Sequence, residues 1–286
     1  MADDASGQGD GAQPWGKDVL VEFDDGIAWV AINRPDRRNA MSVDLAFEML
    51  ATLDALELDD RCGVLVLTGI GDSFSAGMDL KDYFRRVDAM SPMQKAQVYR
   101  ANIAWQWNRL VHYPKPTIAM VNGWCFGGAF VPLVACDLAI ADEEASFGLS
   151  EINWGIIPAG GVSKVLTDVM SHRDALYYTM TGETFKGRKA ADMKLINEAV
   201  PKDQLRQRTR DLAKILLEKN PTVLRATKLA VKFSEDMSWE QSCEYLRAKL
   251  DQTIATDADR GRERGMRQFL DQKTFKPGLG AYRQGD

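Results

Sequence analysis

Two apolar runs near the start of the chain, residues 19–23 and 27–32, flank Asp24-Asp25-Gly26. The glycine can take the positive φ of a tight hairpin turn, so the segment predicts two antiparallel strands. Ser42 then stands ahead of a helical pattern in which Leu45, Met49, Leu53 and Leu56 recur on one face, and an unbroken apolar run at 64–68 reads as a buried strand. Ser91-Pro92 opens a second helix, which carries Val98, Ile103, Trp107 and Leu110 to the break at Pro114 and Pro116. Further strands are predicted at 117–121 and 137–141. Beyond Pro201 the pattern is helical almost to the Lys276-Pro277-Gly278 tail. Residues 1–16, rich in Gly, Asp, Ala and Gln, read as a disordered tail, with ordered structure beginning near Val19. The pattern thus divides the chain into a strand, strand, helix front at 17–203 and a helical end at 204–286.

Composition narrows what such a chain can be. With 45% of its 286 residues hydrophobic and 27% charged, it has the balance of a globular protein of one large or two modest domains. No stretch reaches the apolar length of a bilayer span and residues 1–17 lack an apolar signal core, which points to the cytoplasm. The cysteines Cys62, Cys125, Cys136 and Cys243 are dispersed without metal-ligand spacing and read as reduced thiols. Only two histidines occur, His112 and His172, which disfavours a histidine-built metal centre or a Ser-His-Asp triad. The formal net charge of −5 disfavours a general nucleic-acid surface. One predicted helix face carrying Arg225, Lys228 and Lys232 is the feature an RNA-binding reading would use.

Candidate chemistry sits in three short stretches. Asn122-Gly123-Trp124-Cys125-Phe126-Gly127-Gly128 reads as a tight turn into a helix. The Gly128 N–H can lie at a helix N-terminus, where the dipole favours developing negative charge, and glycine lets a ligand come close. The same pair also suits a purely structural turn. Phe147-Gly148-Leu149-Ser150-Glu151-Ile152-Asn153-Trp154-Gly155 holds one carboxylate in an otherwise uncharged segment, and partial burial there raises the pKa of Glu151. Backbone donors for an oxyanion and one acid/base group are the minimum for chemistry through an enolate. Ser75-Ala76-Gly77-Met78-Asp79-Leu80 completes the set. No Gly-x-Gly-x-x-Gly opens a helix and no Walker lysine occurs, which counts against nucleotide folds.

The ordered set of Ser75 to Leu80, Lys115-Pro116-Thr117-Ile118-Ala119, Asn122-Gly123 with Gly127-Gly128, Cys136-Asp137 and Thr181-Gly182-Glu183 resembles the crotonase, or enoyl-CoA hydratase/isomerase, superfamily from about Val19 onward. That resemblance implies an α/β fold, a crotonase-like spiral of ββα turns with a C-terminal helical region that assembles into a homotrimer or a dimer of trimers. The stretches at 122–128 and 150–155, with Leu217-Glu218-Lys219-Asn220-Pro221 and Ala248-Lys249-Leu250-Asp251-Gln252, are similar to the p-hydroxycinnamoyl-CoA hydratase-lyases within it. Such enzymes hydrate an aryl-propenoyl-CoA and split the product into an aromatic aldehyde and acetyl-CoA, with no tightly bound cofactor and no metal. A plain enoyl-CoA hydratase or isomerase is the nearer alternative, and a non-catalytic RNA-binding member of the fold the remote one.

The resemblance also implies roles for particular residues. The thioester oxygen would meet the N–H groups of Met78 and Gly128, and Glu151 would be the acid/base. A second glutamate of simple hydratases appears here as Val131, where known hydratase-lyases carry serine. One carboxylate then needs help from an ionised para-hydroxyl on the substrate. Tyr83 matches a phenol-binding tyrosine, while Arg247 stands where the subgroup has a second one. For coenzyme A, the matching positions are Arg37 at the phosphates, Ala76, Met78 and Leu80 along the adenine and pantetheine path, Ser150 and Trp154 beside the thioester arm, and Phe269 and Lys273 from a neighbouring subunit.

Overall fold

A computed structural model describes residues 13–274. Ordered structure begins earlier than the expected Val19: Gln13–Pro14 (β1) pairs antiparallel with Val19–Asp24 (β2), and Trp15 packs against the core. A two-residue edge strand offers no alternation to read, which is why the sequence pattern passes over it. The rest of the expected tail, residues 1–12, and Lys276-Pro277-Gly278 lie outside the described residues. The β2 strand then turns into Ile27–Ile32 (β3) with Asp24 opposite Ile27, while Asp25 and Gly26 take φ of 50° and 82°. This is the mirror-image turn whose twist matches that of the strands it joins.

From here three strands of the main sheet are each followed by a three-residue strand of a second sheet and then by a helical segment. Val64–Gly69 (β4) leads to Ser73–Ser75 (β5), Thr117–Val121 (β6) to Trp124–Phe126 (β7), and Leu138–Asp142 (β8) to Ser146–Gly148 (β9). Thr184–Lys186 (β10) and Glu198–Val200 (β11) finish the two sheets. The order is β1-β2-β3-β4-β6-β8-β11 in the large sheet, parallel from β3 onward, and β10-β9-β7-β5 in the small one. This repeating ββα spiral is the fold the motifs implied.

Both faces of the large sheet are covered, so its strands are apolar throughout rather than alternating. Ala28, Val30, Ile32, Leu65 and Leu67 point into the main core with Leu45, Met49, Leu53 and Leu56 of the Val43–Leu58 helix. Their neighbours Ile27, Trp29, Val64 and Val66 point the opposite way, against Leu205 and Ala213 of the Lys202–Leu217 helix. Ser42 caps the first of these helices by accepting from the Leu45 N–H at 3.1 Å. The Pro92–Ile103 helix starts with a Ser91/Gln94 capping box, but at Ala104–Arg109 it widens into a π-helix. From residue 202 to 271 the chain is mostly helical, as its pattern predicts. Its helices Pro221–Ser234 and Trp239–Thr256 contain no buried residue in the isolated chain.

Candidate active site

The spiral brings the ends of the small-sheet strands together, and the site forms on the loops that leave them. The loop after β5 is fixed from several sides. Ser75 Oγ accepts from the Gly77 N–H at 3.1 Å, and Asn39 and Asn122 use their amide N–H groups to bond the carbonyls of Ile70, Ser73, Gly69 and Gly71 beneath it. Arg34, little exposed, pairs with Asp18 at 3.2 Å, Asp79 at 3.0 Å and Asp82 at 2.8 Å. Burial alone would push the Asp79 carboxyl up. The N–H groups of Asp82 and Lys81 and the Arg34 guanidinium outweigh it and hold this carboxyl below its ordinary range. Met78 sits between two bonds to one residue: Met41 N–H donates to Gly77 O at 2.7 Å and Asp79 N–H donates to Met41 O at 3.0 Å. In such a bridge the residue between the bonded pair turns its own N–H the other way, away from Met41.

The second donor lies close to the first. Gly77 has φ of 86°, and a Cβ there would stand 2.6 Å from Phe126 O and 3.2 Å from Gly128 N, so only glycine allows the loops after β5 and β7 to touch. Gly127–Ala129 begins a helical segment that continues as Phe130–Ala135. The Gly128 N–H falls in its first turn, where no preceding helical carbonyl can accept it. Glu151 arrives from the Ser150–Trp154 turn after β9, and a Cβ on Gly127 would come within 2.9 Å of its Oε1. Its Oε2 is buried with no protein partner among the described residues, and burial raises the pKa of the carboxyl.

These groups line one cavity of about 660 Å³. Ala76, Met78, Leu80, Tyr83, Gly128, Ser150, Glu151 and Trp154, all expected at the site, are in its wall, and Glu151 is its only carboxylate among the described residues. Tyr83 is nearly buried, and burial and the neighbouring Tyr99 both push its phenol up, which keeps it a neutral hydrogen-bond donor. Five expected residues are elsewhere. Arg37 is exposed off the cavity, and its neighbour Arg38 lines it instead, with the guanidinium 4.2 Å above the Trp124 ring. Val131, fully buried in the Phe130–Ala135 helix, faces an adjoining cavity that shares only Ile103 and Gly160 with the first. Arg247, Phe269 and Lys273 belong to the C-terminal helical part and are not in the cavity wall.

The sequence reading also missed lining residues. Tyr99, Asn102 and Gln106 share the helical face turned to the cavity, at a spacing that was legible, although nothing in the sequence marked which face that was. The basic stripe meets a different fate from the one an RNA-binding reading needs. Lys228 and Lys232 both pair with Asp137 at 2.8 Å, and Lys228 is almost wholly buried, so the stripe docks a helix onto the core.

Residues 22–277 match the family model described as enoyl-CoA hydratase/isomerase. The chain is 58% identical to a hydroxycinnamoyl-CoA hydratase-lyase of Pseudomonas fluorescens, across 94% of this chain and 97% of that one. Among solved structures, an enoyl-CoA hydratase from Shewanella pealeana superposes with a TM-score of 0.79 at 28% identity, covering 89% of this chain and 94% of that one. An enoyl-CoA hydratase subunit from Geobacillus kaustophilus gives 0.80 at 28% identity, covering 92% and 98%. The ββα spiral, the paired backbone donors and the extent of these matches agree: the chain belongs to the enoyl-CoA hydratase/isomerase family.

Proposed function

We propose that this chain hydrates 4-hydroxycinnamoyl-CoA thioesters, such as feruloyl-, p-coumaroyl- and caffeoyl-CoA, and cleaves the β-hydroxy product by a retro-aldol step to a hydroxybenzaldehyde and acetyl-CoA. The observation that carries the reading is a cavity with one carboxylate, Glu151, beside the N–H groups of Met78 and Gly128, and with a buried phenol, Tyr83, in the same wall. The 58% identity to a hydroxycinnamoyl-CoA hydratase-lyase supports the same substrate class.

In this reading the thioester oxygen accepts from Met78 N–H and Gly128 N–H, each worth about 3 kcal/mol to a developing oxyanion. The substrate's para-hydroxyl, ionised and held by the Tyr83 hydroxyl, pushes electrons through the ring into the thioester and leaves Cβ open to water. Glu151 accepts the water's proton as the C–O bond forms, then delivers a proton to Cα. In the second stage Glu151 takes the β-hydroxyl proton and the Cα–Cβ bond breaks. The aldehyde departs, and the acetyl-CoA enolate rests on the two N–H donors until Glu151 protonates it. Arg38 at the cavity wall is the cation placed to meet the CoA phosphates. The protein would work as a homotrimer or a dimer of trimers, a neighbouring copy bringing Arg247, Phe269 and Lys273 to the site. The many exposed apolar side chains of the C-terminal helices, Trp239 at 80% and Leu250 at 57% among them, favour such assembly. No helix among the described residues is long and apolar enough to cross a membrane, and the enzyme is read as cytoplasmic.

Incubation with feruloyl-CoA, with crotonyl-CoA in parallel, tests the proposal. Vanillin and acetyl-CoA should form together from the first. Hydration or isomerisation of crotonyl-CoA without aldehyde from feruloyl-CoA would replace it with a plain enoyl-CoA hydratase or isomerase.

A further inference from the structure

Two buried amides in the cavity wall have no part in the chemistry above. Asn102 and Gln106 lie where the Pro92–Ile103 helix passes into the π-helical Ala104–Arg109, a local widening that in other proteins often marks a functional site. Gln106 Nε2 donates to Asn102 Oδ1 at 2.7 Å, and both amide nitrogens otherwise reach only Met78 Sδ, at 3.6 Å from Gln106 and 3.8 Å from Asn102. A thioether is a weak acceptor. Asn102 therefore keeps one N–H, and Gln106 its Oε1, without a protein partner among the described residues. Both residues line the cavity, so a ligand bound there can complete these groups.

Their position says which part of a ligand they meet. Met78, whose N–H is an oxyanion donor, touches the amide pair with its side chain, and it also packs against the cluster holding Tyr83 and Val98. Val98 is one helical turn before Asn102. The amides and Tyr83 thus both pack about the Met78 side chain in the wall of one cavity. If Tyr83 holds the para-oxygen, the neighbouring wall faces the meta carbon.

We propose that Asn102 and Gln106 form a specificity site for an oxygen at the meta position of the substrate ring, the free Asn102 N–H donating to it and Gln106 Oε1 accepting from a meta-hydroxyl. This rests on the function proposed above. A meta-methoxyl uses the donor alone, a meta-hydroxyl uses both, and an unsubstituted ring uses neither.

The test compares kcat/KM for caffeoyl-, feruloyl- and p-coumaroyl-CoA in the wild type and in the double variant Asn102→Leu/Gln106→Met, which keeps side-chain size and removes the amides. The ratio of caffeoyl-CoA to p-coumaroyl-CoA should fall at least tenfold, and the feruloyl-CoA ratio by less. Equal losses on all three thioesters would overturn the assignment, because a group that acts on the reacting carbons or only supports packing cannot tell one ring from another. Should the variant not fold, inhibition of the wild type by the aldehyde products decides. Tighter inhibition by 3,4-dihydroxybenzaldehyde than by 4-hydroxybenzaldehyde is expected, and equal inhibition refutes the site. A wild type that cleaves none of the three thioesters removes the function itself and this inference with it.

Discussion

The spiral core and the C-terminal helices handle their polar and apolar groups in opposite ways. In the core, the loops that carry Met78 and Gly128 are held by hydrogen bonds and ion pairs of Asn39, Asn122, Ser75 and the Arg34 cluster. In Pro221–Ser234 and Trp239–Thr256 no apolar residue is buried, and large apolar residues face outward. An ionic tie between these parts runs from Lys228 and Lys232 to Asp137, whose carboxylate also accepts from the Thr117 N–H at 2.8 Å. The difference teaches that Met78, Gly128 and Glu151 meet in one cavity of a single chain. The residues expected from the C-terminal part, Arg247 above all, lie outside that cavity in the isolated chain.

Breaking the core side of this comparison should have the largest effect. Glu151→Gln keeps the shape and loses the base, so the protein should fold while turnover on feruloyl-CoA drops by roughly two to four orders of magnitude; near-normal turnover would remove Glu151 from the chemistry. The same variant gives a signed stability test. Burial raises the Glu151 pKa in the folded state, so this carboxyl's contribution is complete at low pH and is lost as the pH rises through the raised value. Glu151→Gln should therefore melt higher than the wild type at neutral pH, with the gap closing on acidification. For the wild type, the acid limb of the rate profile should fall above the ordinary glutamate range.

Next in size is the ionic tie. Asp137→Ala leaves Lys228 buried without its carboxylate and should cost about 3–5 kcal/mol of unfolding free energy, read from urea midpoints. A change within experimental scatter would mean the helix docks through its apolar contacts alone. Tyr83→Phe should follow, with a loss of about 1.5–3 kcal/mol in transition-state stabilisation on phenolic thioesters, the range of a hydrogen bond to a charged group. An unaltered kcat/KM would take Tyr83 out of phenolate binding.

The C-terminal side gives the smaller effects. Leu250→Glu places a charge on an exposed apolar helix face and should shift sedimentation of the protein from the proposed trimer or hexamer towards monomer, while a purely solvent-facing leucine would tolerate it. Arg247→Ala should slow turnover by only several-fold, and more on the phenolic substrate than on its O-methylated analogue. Equal slowing on both would leave Arg247 without a phenolate role.

How much of this was legible beforehand follows from the range of the signals. The longer main-sheet strands, β2, β3, β4, β6 and β8, and the long helices are written in the local pattern, and Leu45, Met49, Leu53 and Leu56 fall on the buried face that their spacing predicts, whereas the short β1 and β11 are not so written. The small sheet is not. Its strands β5, β7, β9 and β10 have three residues each, too few to show alternation, and they exist because the spiral stacks them.

By itself the sequence determined the opening hairpin, the longer strands of the large sheet, the helical end, the lone carboxylate Glu151 and the glycines that let two backbone donors approach. These are fixed by local preference and by chemistry each residue carries alone. Tertiary structure decided which groups share a cavity. It turned Tyr99, Asn102 and Gln106 inward, chose Arg38 over Arg37, placed Val131 behind a neighbouring wall and spent Lys228 and Lys232 on Asp137. Those outcomes depend on which helix face meets which sheet edge, a relation between residues distant in the chain that no local pattern encodes.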